Sequence, residues 1–101
     1  MLTPKQIKTI RNNGNDWLNM FTWDIYLRAK MPAIQRREAE KVFNQVAAHD
    51  PETARIIKTR YEKEWSWEKV AMMFYMSRRT VIRRVYNFFD EAIRILKEEK
   101  K

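Results

Sequence analysis

The densest cluster of chemically active side chains in this 101-residue sequence is a group of arginines between residues 78 and 84. Its members are Arg78, Arg79, Arg83 and Arg84. A guanidinium group can donate two hydrogen bonds to one guanine or bind a backbone phosphate, so the cluster suits recognition of duplex DNA. Residues 69–89 add Lys69 and contain no Asp or Glu. The net charge of +8 is therefore concentrated here, and it favours a polyanionic partner.

These arginines fall on a segment with strong helical periodicity. Ser77 is a good N-cap, and we expect the helix that follows it to continue to Lys97. Its apolar stripe has a period of 3.6 residues and consists of Val81, Val85, Phe88, Phe89, Ala92, Ile93 and Leu96. We therefore expect the C-terminal half of the chain to pack around this stripe.

The angular positions on this helix assign different tasks to its polar residues. At about 100° per residue, the outer face opposite the apolar stripe consists of Arg79, Arg83 and Tyr86, with Ile82 on its flank. We expect the two arginines to contact bases in the major groove, and Ile82 to meet a thymine methyl. Side chains that project sideways suit phosphates, and these are Arg78 and Arg84. DNA contact should end before Asp90.

A second, shorter helix precedes the turn. Ser66 is its expected cap, and Val70, Ala71 and Phe74 should face inward. Two helices joined by a short turn, the second rich in arginine, describe a helix-turn-helix.

The segment from Trp67 to Val81 resembles the helix-turn-helix of bacterial sigma factor region four. The matching residues are Val70-Ala71, Phe74, Met76, Ser77 and Thr80-Val81, with the aromatic residues Tyr61 and Trp67 before them. The same module closes phage late-gene regulators of the ArpU and RinA type, and the similarity covers about residues 55–96. The resemblance implies that Ser77 caps the DNA-contacting helix and that Arg78, Arg79, Ile82 and Arg83 touch DNA.

One position departs from that family pattern. Tyr75 stands where the turn usually has glycine. A residue with a Cβ loses about 1 kcal/mol there if the turn requires a positive φ.

Composition predicts an all-α fold, a compact domain of about five to six helices. One Gly and three Pro leave little material for the turns of a β fold, and hydrophobic residues make up 45% of the chain. We expect one continuous globular unit with a helical N-terminal part at residues 1–50 and the helix-turn-helix part at residues 51–101.

Cap and proline signals place four helices before residue 66. The first should run from Pro4 to about Asn12, and the second, capped by Asp16, to about Lys30. Pro32 either bends the chain or begins a third helix that ends near Ala48. Asp50 and Pro51 then start a helix that carries Ile57, Tyr61 and Trp65 on one face.

The second of these helices is aromatic on two sides. Trp17 and Phe21 lie on one face, and Trp23 and Tyr26 lie on another. Such a helix is buried on both sides, either within one chain or with one side against a second subunit in a homodimer. The sequence leaves both arrangements open.

Several classes of function find no support. The absence of Cys and the single His49, expected at a helix end, argue against zinc sites and nucleophilic catalysis, and one glycine excludes a phosphate-binding loop. We therefore expect no enzyme, metal or cofactor. No apolar run approaches the ~18 residues of a membrane span, and the alternating segment from Leu2 to Asn15 is not a signal peptide. We expect a cytoplasmic protein of a bacterial host cell.

The sequence thus favours a sequence-specific double-stranded DNA-binding regulator of transcription, encoded by a phage or prophage. Two alternatives remain. One is the small DNA-recognition subunit of a phage terminase. The other is an adaptor that binds RNA polymerase through the aromatic N-terminal half.

Overall fold

The computed structural model describes residues 17–30 and 34–99. Within these ranges the chain forms helices and connections without any strand, which confirms the predicted all-α fold. The five helices are α1 (Trp17–Ala29), α2 (Arg36–His49), α3 (Pro51–Lys63), α4 (Trp67–Met73) and α5 (Arg78–Glu99). The expected helix from Pro4 to Asn12, the cap Asp16 and the bend at Pro32 lie outside the described residues.

The helix starts follow the predicted caps. The Asp50 side chain accepts a hydrogen bond of 3.2 Å from the Thr53 N–H, and Pro51 is the first residue of α3. The Ser66 hydroxyl accepts one of the same length from the Lys69 N–H at the start of α4. Each bond satisfies an N–H that the first helical turn leaves without an intrahelical partner, so these short local signals are sufficient to set the boundaries.

Two predicted boundaries were inaccurate. Helix α2 begins at Arg36, because Gln35 before it is extended. Helix α3 ends at Lys63, because Glu64 adopts a left-handed conformation with φ of 55°. Trp65 therefore lies in the connection to α4, where it packs partly buried against the core, and it does not continue the face of Ile57 and Tyr61.

A single apolar core includes residues from all five helices, and Phe21 of α1 lies near its centre. The Phe21 ring stacks on Phe89 of α5 with 5.2 Å between ring centroids. It also meets Phe43 of α2 edge to face at 5.0 Å. Each such aromatic pair contributes about 0.5–1.5 kcal/mol beyond its buried area. The aromatic cluster therefore fixes α1 and α2 against the back of α5.

The two faces of α1 differ in burial. Leu18, Phe21 and Ile25 are buried in the intramolecular core, as both predicted arrangements require of one side of this helix. On the other face, Trp23 and Tyr26 stack on each other at 5.6 Å and are only partly buried. A homodimer through that second face stays a prediction.

None of the helices described is both long enough and apolar enough to cross a membrane.

Candidate nucleic-acid interface

The turn between α4 and α5 has the geometry of a Schellman motif. The Met76 N–H donates to the Ala71 carbonyl at 3.0 Å, and the Tyr75 N–H donates to the Met72 carbonyl at 3.2 Å. Tyr75 has a φ of 56°, so it occupies the left-handed position that glycine usually fills. Its side chain is 96% exposed. The turn therefore keeps the geometry of a glycine turn, although the residue at its left-handed position carries a Cβ.

Ser77 caps α5, as predicted. Its hydroxyl oxygen accepts a hydrogen bond of 3.1 Å from the Thr80 N–H and donates one of 2.8 Å to the Thr80 hydroxyl. The cap fixes the direction of the first helical turn, on which Arg78 and Arg79 lie. The N-terminus of a 22-residue helix also carries partial positive charge, which adds to the attraction of these arginines for an anion.

Burial divides α5 into the two sides that the sequence predicted. Val81, Val85 and Phe88 are buried, whereas Arg79 and Arg83 are exposed on the opposite side. Among the remaining predicted contact residues of α5, Arg78 is exposed, Ile82 is half-buried on the flank, and Tyr86 is 49% exposed. A rigid, convex helix face therefore presents guanidinium groups to solvent while its back is held by the core.

Arg84 differs from the sequence expectation. Its guanidinium forms an ion pair with Glu52 of α3 and also lies 3.6 Å from the Met76 sulfur. The hydrogen bond to Glu52 raises the pKa of Arg84 above its usual value. Because its charge is balanced by a carboxylate of the same chain, Arg84 acts as a link between α3 and α5 and is poorly placed for the phosphate contact expected of it.

The C-terminal half of α5 carries more carboxylates than cations. Arg94 lies between Glu91 and Glu98, with its Nε 3.1 Å from a Glu91 oxygen and its guanidinium 2.7 Å from Glu98. These contacts lower the pKa of Glu91 and hold Arg94 charged. Asp90 is exposed one turn after Tyr86. The unbalanced positive charge of α5 thus lies on its N-terminal turns, before Asp90.

Several cations from outside α5 lie against aromatic rings, and two of them, Lys69 and Arg28, bear on this interface. The Lys69 ammonium is 4.6 Å from the Trp65 ring centroid, on the exposed side of α4. Arg28 of α1 lies 4.7 Å from the Tyr86 ring centroid. The sequence indicated Lys69 through its position in the acid-free segment, but no spacing pattern connects Arg28 with α5. Only the packing of α1 against α5 brings them together.

A cavity of about 480 Å³ opens between α1, α3, α4 and the back of α5. Asp24, Arg60 and Tyr61 are among its lining residues. The Tyr61 hydroxyl donates a hydrogen bond to the Asp24 carboxylate, and burial together with that negative charge raises the pKa of Tyr61 well above its usual value. Such a phenol stays protonated and joins α1 to α3. Among the described residues, no group of three potential metal ligands occurs.

Residues 30–94 match a family described as a protein of unknown function (DUF722). The chain belongs to this family. Neither the curated proteins nor the solved structures include a significant match to it. The DUF722 region contains the caps, the turn and the arginines of α5, whereas α1, with Arg28, precedes it.

Proposed function

We propose that this protein is a sequence-specific double-stranded DNA-binding regulator of transcription and that α5 is inserted into the major groove. One observation carries the proposal. The Ser77-capped α5 exposes Arg79 and Arg83 on one side while the core buries its opposite side, and α4 precedes it through a tight turn. This arrangement is the one by which helix-turn-helix proteins present a helix to base edges.

Each exposed side chain has a chemically defined task. Arg79 and Arg83 can each donate two hydrogen bonds to a guanine, and Ile82 on the flank can contact a thymine methyl. Arg78 at the first turn and Lys69 on α4 suit backbone phosphates. Tyr86 completes the outer face of α5. These contacts would give base discrimination in the centre of the interface and electrostatic affinity at its edges.

The likeness of residues 55–96 to sigma factor region four supports a role in transcription. The same module in ArpU- and RinA-type proteins supports a phage or prophage origin, and hence action in the cytoplasm of a bacterial host.

The decisive experiment is selection of bound sequences from a random duplex pool at about 0.15 M salt, where non-specific attraction is screened. A specific site should emerge. Replacing Arg79 or Arg83 by alanine should then weaken binding to that site by about 1–3 kcal/mol each, which is roughly 5- to 150-fold. Arg94→Ala is the matched control, since that arginine lies on the same helix but is paired with Glu91 and Glu98. No enriched sequence, or equal affinity of all three variants, would contradict the proposal.

A second candidate function is DNA recognition within a phage packaging terminase. The observation that favours it is the partly exposed apolar face of α1, where Leu27 is 51% exposed beside Trp23 and Tyr26, because a ring-forming subunit needs such a surface for assembly. The mass in solution separates the two functions. A monomer or dimer supports a regulator, whereas an assembly of about eight or more chains supports packaging.

A further inference from the structure

Arg28 lies at the flank of the outer face of α5. Its guanidinium carbon is 4.7 Å from the centroid of the Tyr86 ring and 4.6 Å from that of the Phe89 ring. Tyr86 follows Arg83 by three residues, which places it about 60° around the helix axis from that arginine. An exposed cation from α1 is therefore positioned beside the face that carries Arg79 and Arg83.

We propose that Arg28 binds a DNA phosphate at the edge of the groove that α5 occupies. The inference rests on the proposed function and extends the interface to α1, which precedes the family match.

The dimensions of DNA support a phosphate contact at this position. The major groove is about 12 Å wide, and an α-helix with its side chains is about 10–12 Å across. A helix inserted in the groove fills its width, so a group on a neighbouring element beside the helix meets the sugar–phosphate backbone. Arg28 is such a group, since it reaches the flank of α5 from α1.

The contacts of Arg28 leave its hydrogen-bonding groups suitable for an anion. A guanidinium stacks on aromatic rings through its planar face, whereas its N–H groups point outward in the plane and can donate two parallel hydrogen bonds to a phosphate. The two rings also restrict the side chain, so less conformational entropy is lost on binding. Across the described ranges, Arg28 forms no ion pair with a carboxylate, in contrast to Arg84, which pairs with Glu52.

The two flanks of α5 therefore differ in charge. Arg84 lies about 100° around the axis from Arg83, in the direction opposite to Tyr86, and Glu52 balances it. Arg28 adds a positive charge on the Tyr86 side and forms no ion pair within the described ranges, while Asp24 on its own helix accepts the Tyr61 hydroxyl. We expect the backbone strand on that side to be held more firmly.

The test compares wild type with Arg28→Ala and Arg28→Lys. Binding is measured on the selected site and on a random duplex over a series of salt concentrations. We expect Arg28→Ala to weaken both complexes by a similar factor and to reduce the slope of log K against log salt by about one. Arg28→Lys should have the wild-type slope, because lysine retains the positive charge. Lys41→Ala is the control with the same charge change, since Lys41 pairs with Glu99 3.7 Å away near the end of α5.

A second measurement identifies the phosphate. Single phosphates in the selected site are replaced by uncharged methylphosphonates, and each duplex is tested with wild type and Arg28→Ala. At one or two positions on one strand edge, the replacement should weaken the wild-type complex and leave the Arg28→Ala complex unchanged. This coupling would not arise if the variant merely loosened the fold.

The outcomes separate this inference from the proposed function. If Arg79→Ala and Arg83→Ala lose the selected site while Arg28→Ala has the wild-type salt slope and no coupled phosphate, the role of Arg28 is overturned and the proposed function stands. If no duplex sequence is selected at all, the proposed function fails, and the inference about Arg28 fails with it.

Discussion

Arg84 and Glu52 are 32 positions apart in the sequence and form an ion pair that joins α5 to α3. The pair lies on one flank of the helix that we assign to the major groove. It places a carboxylate beside a surface proposed to face DNA, and a carboxylate there opposes the approach of phosphates. The pair therefore limits how much of the arginine cluster is available to a polyanion.

Replacing Glu52 by glutamine should make DNA binding tighter and more dependent on salt. The change removes a negative charge from the flank and leaves Arg84 without its balancing carboxylate, so the salt slope should become steeper by about one phosphate contact. Fluorescence anisotropy on a random duplex measures both effects. Glu99→Gln makes the same charge change at the Lys41 pair and should alter the slope little. An unchanged slope for Glu52→Gln would show that Arg84 stays out of reach of DNA. Stability should fall by no more than about 1 kcal/mol, because the pair is partly exposed.

Replacing Tyr75 by glycine should stabilise the protein. A left-handed residue with a Cβ costs about 1–2 kcal/mol, and the larger unfolded-state entropy of glycine offsets about 0.5–1 kcal/mol of that gain. The exposed Tyr75 side chain has little packing to lose. We expect a net increase of about 0.5–1 kcal/mol in the free energy of unfolding, measured by urea denaturation. Tyr75→Ala keeps the Cβ and should show no such increase; equal stabilisation by both variants would argue against the backbone explanation.

Removing the cap of α5 should destabilise the fold. In Ser77→Ala, the Thr80 N–H loses its acceptor, which should lower the free energy of unfolding by about 0.5–2 kcal/mol. Ser66→Ala removes the equivalent cap of α4 and is the matched variant. Affinity for the selected DNA site distinguishes the two variants, because only Ser77 orients the helical turn that carries Arg78 and Arg79. We expect a larger loss of affinity for Ser77→Ala, and equal losses would mean that the cap serves stability only.

Tyr61→Phe should lower stability by about 1–3 kcal/mol at neutral pH, because the Asp24 carboxylate loses a buried hydrogen-bond donor. The effect should depend on pH. Burial and Asp24 raise the folded-state pKa of Tyr61 above the unfolded value of about 10. Its contribution is therefore complete below about pH 10 and is lost as pH rises further, since the unfolded state then releases a proton that the native state retains.

Urea unfolding at a series of alkaline pH values measures this dependence. Wild type should lose stability above about pH 10 more steeply than Tyr61→Phe, so the difference between the two should shrink. Parallel curves would contradict the assignment of the raised pKa to Tyr61.

Local signals in the sequence were sufficient for most of the helical framework. The caps at Asp50, Ser66 and Ser77 were predicted correctly, because each depends on a side chain and an N–H three residues later. The left-handed position at Tyr75 follows instead from the resemblance to sigma factor region four, whose pattern has glycine at that turn position. The end of α3 was missed because Glu64 adopts a positive φ without a glycine or proline to mark it.

In the proposed interface, too, some features follow from the sequence and others only from the tertiary structure. The sequence alone determined that α5 has a buried side and a side bearing Arg79 and Arg83, since helical periodicity fixes which residues share a face. Only the tertiary structure decided that Arg84 is neutralised by Glu52 and that Arg28 reaches Tyr86. Both relationships join helices that are distant in sequence, and the packing of whole helix faces, which no local spacing encodes, brings them together.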